Sequence, residues 1–98
     1  MEMKIPKKFI LGGVEITVEQ KERINPEQDF GVWETYGHIT LATHLDGKPL
    51  SHSRIRQTFW HELLHCALFA MKDSRYSDES FVNVLASFIS GAIDTMEE

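Results

Sequence analysis

Hydrophobic and polar residues alternate from Val14 to Glu19: Val14, Ile16 and Val18 are apolar, while Glu15, Thr17 and Glu19 between them are not. A period of two is that of a β-strand with one face buried and the other wet. Phe9-Ile10-Leu11 precedes this run across Gly12-Gly13. Two glycines that can both take positive φ predict a tight hairpin there. Gln20 to Asp29 is polar and contains the turn signal Asn25-Pro26. Phe30 to Tyr36 is aromatic-rich and reads as an irregular strand or a loop packed on the core. After Gly37, His38 to Thr43 predicts a third strand, expected at the edge of the sheet, and Asp46-Gly47-Lys48-Pro49 a turn. Residues 1–8 form a lead-in in which Pro6 blocks a helix.

The period then changes. From Ser51 or Ser53, either a suitable N-cap, the pattern is helical to about Lys72. Phe59, Leu63, Ala67 and Ala70 fall on one side. Arg54, Thr58, His61, His65, Leu68 and Lys72 fall on the other. Lys72-Asp73-Ser74-Arg75 closes this helix, and Ser77 is expected to cap a second one running to about Met96. Phe81, Val82, Leu85, Phe88, Ile89, Ala92, Ile93 and Met96 give the second helix its apolar stripe. Gly91 inside it costs about 1 kcal/mol relative to alanine and is expected to mark a close helix contact. No repeat, low-complexity tract or linker divides the chain. Residues 1–98 are therefore expected to form one α+β domain, a small sheet of about three strands packed on two helices.

The first helix carries chemistry. His61-Glu62-Leu63-Leu64-His65 reads H-E-x-x-H. Two histidines four residues apart stand one turn above the other, so both imidazoles can grip one zinc ion. Glu62, about 100° round the helix, can then reach a water on that metal. Catalytic zinc takes three protein ligands, so a third must come from elsewhere. Glu79, in the first turn of the second helix, lies 79 − 65 = 14 residues after His65, room for one helix to end and the next to fold back. Asp78 is the rival ligand, and both acids also suit a helix N-terminus for electrostatic reasons alone. Asn83, one turn on from Glu79, either orients a ligand or makes a plain helix contact. Tyr36, His38 and Tyr76 are candidates to stabilise an oxyanion. His44 and His52 read as turn or surface residues, and Cys66, Trp33 and Trp60 as core.

Composition narrows the setting. A chain of 98 residues, 42% hydrophobic, supports one modest core, which a bound metal would help to stabilise. The net charge of -5, with no basic patch beyond Lys4-Ile5-Pro6-Lys7-Lys8, argues against nucleic acid as a direct partner. One cysteine allows no internal disulfide, and no run has the length of a signal-peptide core or a membrane span. A soluble, cytoplasmic protein is expected.

His61 to His65, followed by Glu79-Ser80-Phe81-Val82-Asn83-Val84-Leu85-Ala86, resembles the zincin metallopeptidases of gluzincin type. Within them it is similar to small single-domain members and to phage or mobile-element proteins of the ImmA/IrrE kind. There the second helix reads approximately E-x-x-A-N-x-F-A; here Val82 stands for the alanine and Leu85 for the phenylalanine. The resemblance covers roughly residues 37–90. It implies zinc held by His61, His65 and Glu79, with Glu62 as general base in the hydrolysis of a peptide or protein. The chain departs from that pattern at Leu64, where the family often has glycine, and carries no H-x-x-G-x-x-H continuation of the metzincin kind. The alternative expectation is an inactive zinc-binding module that presents a surface to a partner.

Overall fold

The glycine pair makes the predicted hairpin. In the computed structural model, which describes residues 4–25 and 28–97, strand β1 (Lys8–Leu11) pairs antiparallel with β2 (Val14–Lys21). Gly12 (φ 57) and Gly13 (φ 82) supply the left-handed turn. The aromatic run contains a strand, β3 (Gly31–Glu34), which turns at Gly37 into β4 (His38–Ala42). The sheet thus has four strands in the order β1-β2-β4-β3, with β2 and β4 parallel and the other pairs antiparallel.

This order corrects the expectation that His38–Thr43 forms an edge strand. The chain leaves β2, runs out to the far side of the sheet as β3, and returns as β4 between the two. β4 lies inside because it pairs with β2 on one side and β3 on the other, and alternation fixes its face: Ile39 and Leu41 are fully buried towards the first helix. A short outlying hairpin, β5 (His44–Leu45) with β6 (Lys48–Pro49), turns on Asp46 (φ 50) and Gly47 (φ 77). Gln28 clasps that turn from the preceding loop, donating to the Asp46 carboxylate (2.7 Å) and accepting from its amide (2.8 Å).

Helix α1 spans His52–Ala70, and Ser51 is its N-cap, accepting from the Arg54 amide at 3.1 Å. Its sheet-facing row is Ile55, Phe59 and Cys66, packed on Ile16, Ile39 and Leu41. The predicted row differs: of its members only Phe59 is deeply buried, Leu63 is partly buried and Ala70 is exposed. The cause is that α1 is covered on two sides, by the sheet and by the second helix, so no single stripe describes it. The helix closes at Lys72, in the left-handed region (φ 59), with Asp73 donating back to the Leu68 carbonyl (2.9 Å).

A 3₁₀ turn, Ser74–Ser77, absorbs the serine expected to cap the next helix. Asp78 caps it instead, accepting from the Phe81 amide at 3.0 Å, and α2 runs Glu79–Thr95 antiparallel to α1. Val82, Ala86 and Ser90, four residues apart, form the buried row of α2. Near the other end of the pair, buried Arg56 of α1 holds Asp94 of α2 through two hydrogen bonds (2.9 and 3.3 Å). Gly91 is exposed, and a side chain there would meet nothing within 4 Å, so it marks no helix contact among the described residues. No helix among the described residues is long and apolar enough to cross a membrane.

Candidate metal centre

The four-residue spacing puts both imidazoles on the flank of α1 that faces the start of α2. Their Nε2 atoms lie 3.2 Å apart. The Glu79 carboxylate reaches across from α2, with Oε2 3.1 Å from His61 Nε2 and Oε1 3.0 Å from His65 Nε2. Asp78 does not compete, because its carboxylate is spent on capping α2. His61, His65 and Glu79 form a cluster whose ligand atoms could hold one metal ion.

Two observations test the fit. Ligands about 2.05 Å from a tetrahedral metal lie about 3.3 Å from one another, close to the separations found. The second is the tautomer. His65 is 2% exposed, and its Nδ1 donates to the Tyr76 main-chain carbonyl. With that nitrogen protonated, the neutral ring keeps a lone pair on Nε2, directed at the cluster. Trp33 of β3 stacks on the same ring, 5.5 Å between centroids and 5° between planes. Phe69 and Tyr76 in turn pack against Trp33. The ring of His65 is therefore held from its face and its edge. His61, nearer solvent, depends on Glu79, whose side chain is 73% exposed.

Glu62 occupies a different place from the ligands. It is 6% exposed and lies where α1 meets the start of β3. Gly31 makes this possible. A Cβ at Gly31 would fall 2.6 Å from Thr58 Cγ2 and 3.1 Å from Glu62 Oε2, so strand and helix approach where only glycine fits. Burial pushes the Glu62 carboxyl up to about 8, and the negative charges of Glu79 and Asp29 push the same way. A dication at the three donors would act against that shift.

A cleft of about 600 Å³ runs beside these groups, lined by Gly31 and Trp33 from β3, Thr58, His61 and Glu62 from α1, and Asn83 from α2. Its β3 wall is the free edge of the sheet. Ala42 donates to the Phe30 carbonyl (2.9 Å), so alternate residues Phe30, Val32 and Glu34 address β4. Gly31 and Trp33 therefore turn their amides and carbonyls outward, unpaired by any strand among the described residues.

None of the three oxyanion candidates lines this cleft. Tyr36 stacks on His38, and His38 meets Thr17 Oγ1 at 2.7 Å on the sheet face opposite Ile39. Tyr76 contributes its main-chain carbonyl to His65, and its ring packs on Trp33 and Phe69. Asn83 lines the cleft without a hydrogen bond to Glu79. Cys66 is core, its thiol pushed up to about 11 by burial. The sequence pattern does not single out Gly31 or the cleft wall of Asp29, Phe30 and Arg54 as functional. The one available signal was a glycine opening a short aromatic strand. No family model, curated protein or solved structure matches the chain.

Proposed function

We propose that this chain is a zinc-dependent peptidase that works in the manner of the zincins. The observation that carries the reading is the convergence of three donor atoms from two helices, with a buried glutamate beside them and a free strand edge along the same cleft. Zinc at such a donor set supplies Lewis acidity and brings the pKa of water down to about 7. The outward amides and carbonyls of Gly31 and Trp33 receive an extended peptide by strand addition. Glu62, buried beside the donors, takes a proton from water and hands it to the departing amine. Tyr76 and Trp33 hold His65 in the tautomer and orientation the site needs.

The test is elemental analysis of the purified protein, followed by hydrolysis of a peptide library by zinc-loaded wild type and Glu62→Gln. Stoichiometric zinc with cleavage by wild type alone is expected; equal activity in the two proteins would refute the reading. One observation favours a second reading, a zinc-binding module that holds a peptide without cutting it. Apart from His61, no tyrosine or histidine lines the cleft to meet a developing oxyanion. Peptide binding without turnover, unchanged in Glu62→Gln, would establish that instead.

A further inference from the structure

The cleft is electrically lopsided. Glu62 and Glu79 stand at its metal end, and Arg54 stands at the other. Arg54 belongs to the first turn of α1, and its guanidinium lies over the Phe30 ring, 4.4 Å from the centroid. An exposed arginine usually extends into water. This one is laid against an aromatic wall, which occupies one face and leaves the edge N–H groups directed outward. Among the described residues no carboxylate lies within ion-pair distance of it. Asp29, on the same wall, is already engaged by Asn25, whose side-chain amide donates to it at 2.6 Å and accepts from its main-chain amide at 3.2 Å.

Building on the peptidase reading, we infer that Arg54 selects substrates bearing a carboxylate a few residues from the bond that is cut, and so sets which way the peptide lies. Seven positions of α1 separate Arg54 from His61, about 10 Å at 1.5 Å per residue. An extended peptide covers that in about three residues at 3.3 Å each. Measured along β3, Phe30, whose ring carries the guanidinium, is one residue beyond Gly31, which touches Glu62, so the two routes bracket one to three residues. At the far end a carboxylate meets five N–H donors in a planar fork. The carboxylate can belong to an acidic side chain or to the end of the substrate chain. Both present the same two oxygens.

The experiment walks a single glutamate, with glutamine as control, through every position of an alanine-glycine nonapeptide, made once with a C-terminal acid and once with a C-terminal amide. Zinc-loaded wild type is expected to prefer the acid roughly tenfold at one position one to three residues from the cut, a typical return for a charge-assisted fork. Preference confined to the C-terminal acid identifies the chain end as the source. Arg54→Gln should bring the ratio of acid to control near one, and Arg54→Glu should push it below one. The same peptides are also titrated onto zinc-loaded Glu62→Gln with and without Arg54→Gln, read by tryptophan fluorescence. No acid preference in either assay, or a preference that survives Arg54→Gln, overturns the inference. If wild type cuts nothing, the peptidase reading fails on its own. The binding titration still decides the role of Arg54.

Discussion

Gly31→Ala isolates the contact on which the cleft depends. The new methyl would sit 2.6 Å from Thr58 Cγ2 and 3.0 Å from Glu62 Cγ, about 1 Å inside ordinary carbon contact. Neither neighbour can simply rotate away, since Thr58 Oγ1 donates to the Arg54 carbonyl (3.1 Å) and Glu62 is buried. The strand must move off the helix. Overpacking of this kind costs about 1–3 kcal/mol, and losing glycine's freedom in the unfolded chain returns about 0.4–1 kcal/mol. A net loss of about 1–2 kcal/mol in a domain of this size lowers the melting temperature by roughly 5–15 °C. Differential scanning calorimetry of the metal-free proteins measures it. Thr58→Ser deletes the clashing methyl and keeps the hydroxyl, so the double variant should recover about half of the loss. Turnover should stay low in both, because the Glu62 contact remains. A Gly31→Ala protein as stable as wild type, or a double variant no better than the single, would refute the claim that this glycine exists for close approach.

Two further outcomes are expected. Zinc at about 100 times its dissociation constant should stabilise the protein by about 2.7 kcal/mol, a chelator should reverse the gain, and His61→Ala and Glu79→Ala should abolish it, all read from melting curves. In metal-free protein, Glu62 makes stability fall with pH: the folded carboxyl titrates near 8 against 4.5 unfolded, so the folded state holds the extra proton between those values. Denaturant titrations from pH 5 to 8 should show a decline of a few kcal/mol at most, absent in Glu62→Gln; matching profiles would contradict it.

The extents of the helices were legible from apolar residues at helical spacing and short-range punctuation, although α1, covered on two sides, has no single stripe. The two histidines and Glu79 were legible because helix geometry alone brings side chains at fixed spacing to one flank, and a 14-residue return suffices for the partner. The hairpin was legible from Gly12-Gly13. What failed depended on partners distant in sequence. β3 is four residues long and opens with glycine, so no alternation distinguishes it from a loop. The inward place of β4 follows from parallel pairing with β2, which nothing local announces. Ser77 and Asp78 are equally good caps by type, and the 3₁₀ turn before them decided between them. Gly91 was read as a contact because glycine is costly in a helix, yet its surroundings are empty.

The antiparallel helices are fastened near opposite ends by unlike means. Arg56 and Asp94 make a clasp near the start of α1, whereas towards the far end His61, His65 and Glu79 could close on a shared cation. Without a cation the three side chains would have only their mutual hydrogen bonds, with the opposite clasp intact. The pair would then behave like tongs pivoting about a riveted joint. Loss of metal would loosen the stretch around Tyr76 and Glu79 while the remainder stayed folded, and reloading would require one local closure instead of refolding the whole chain.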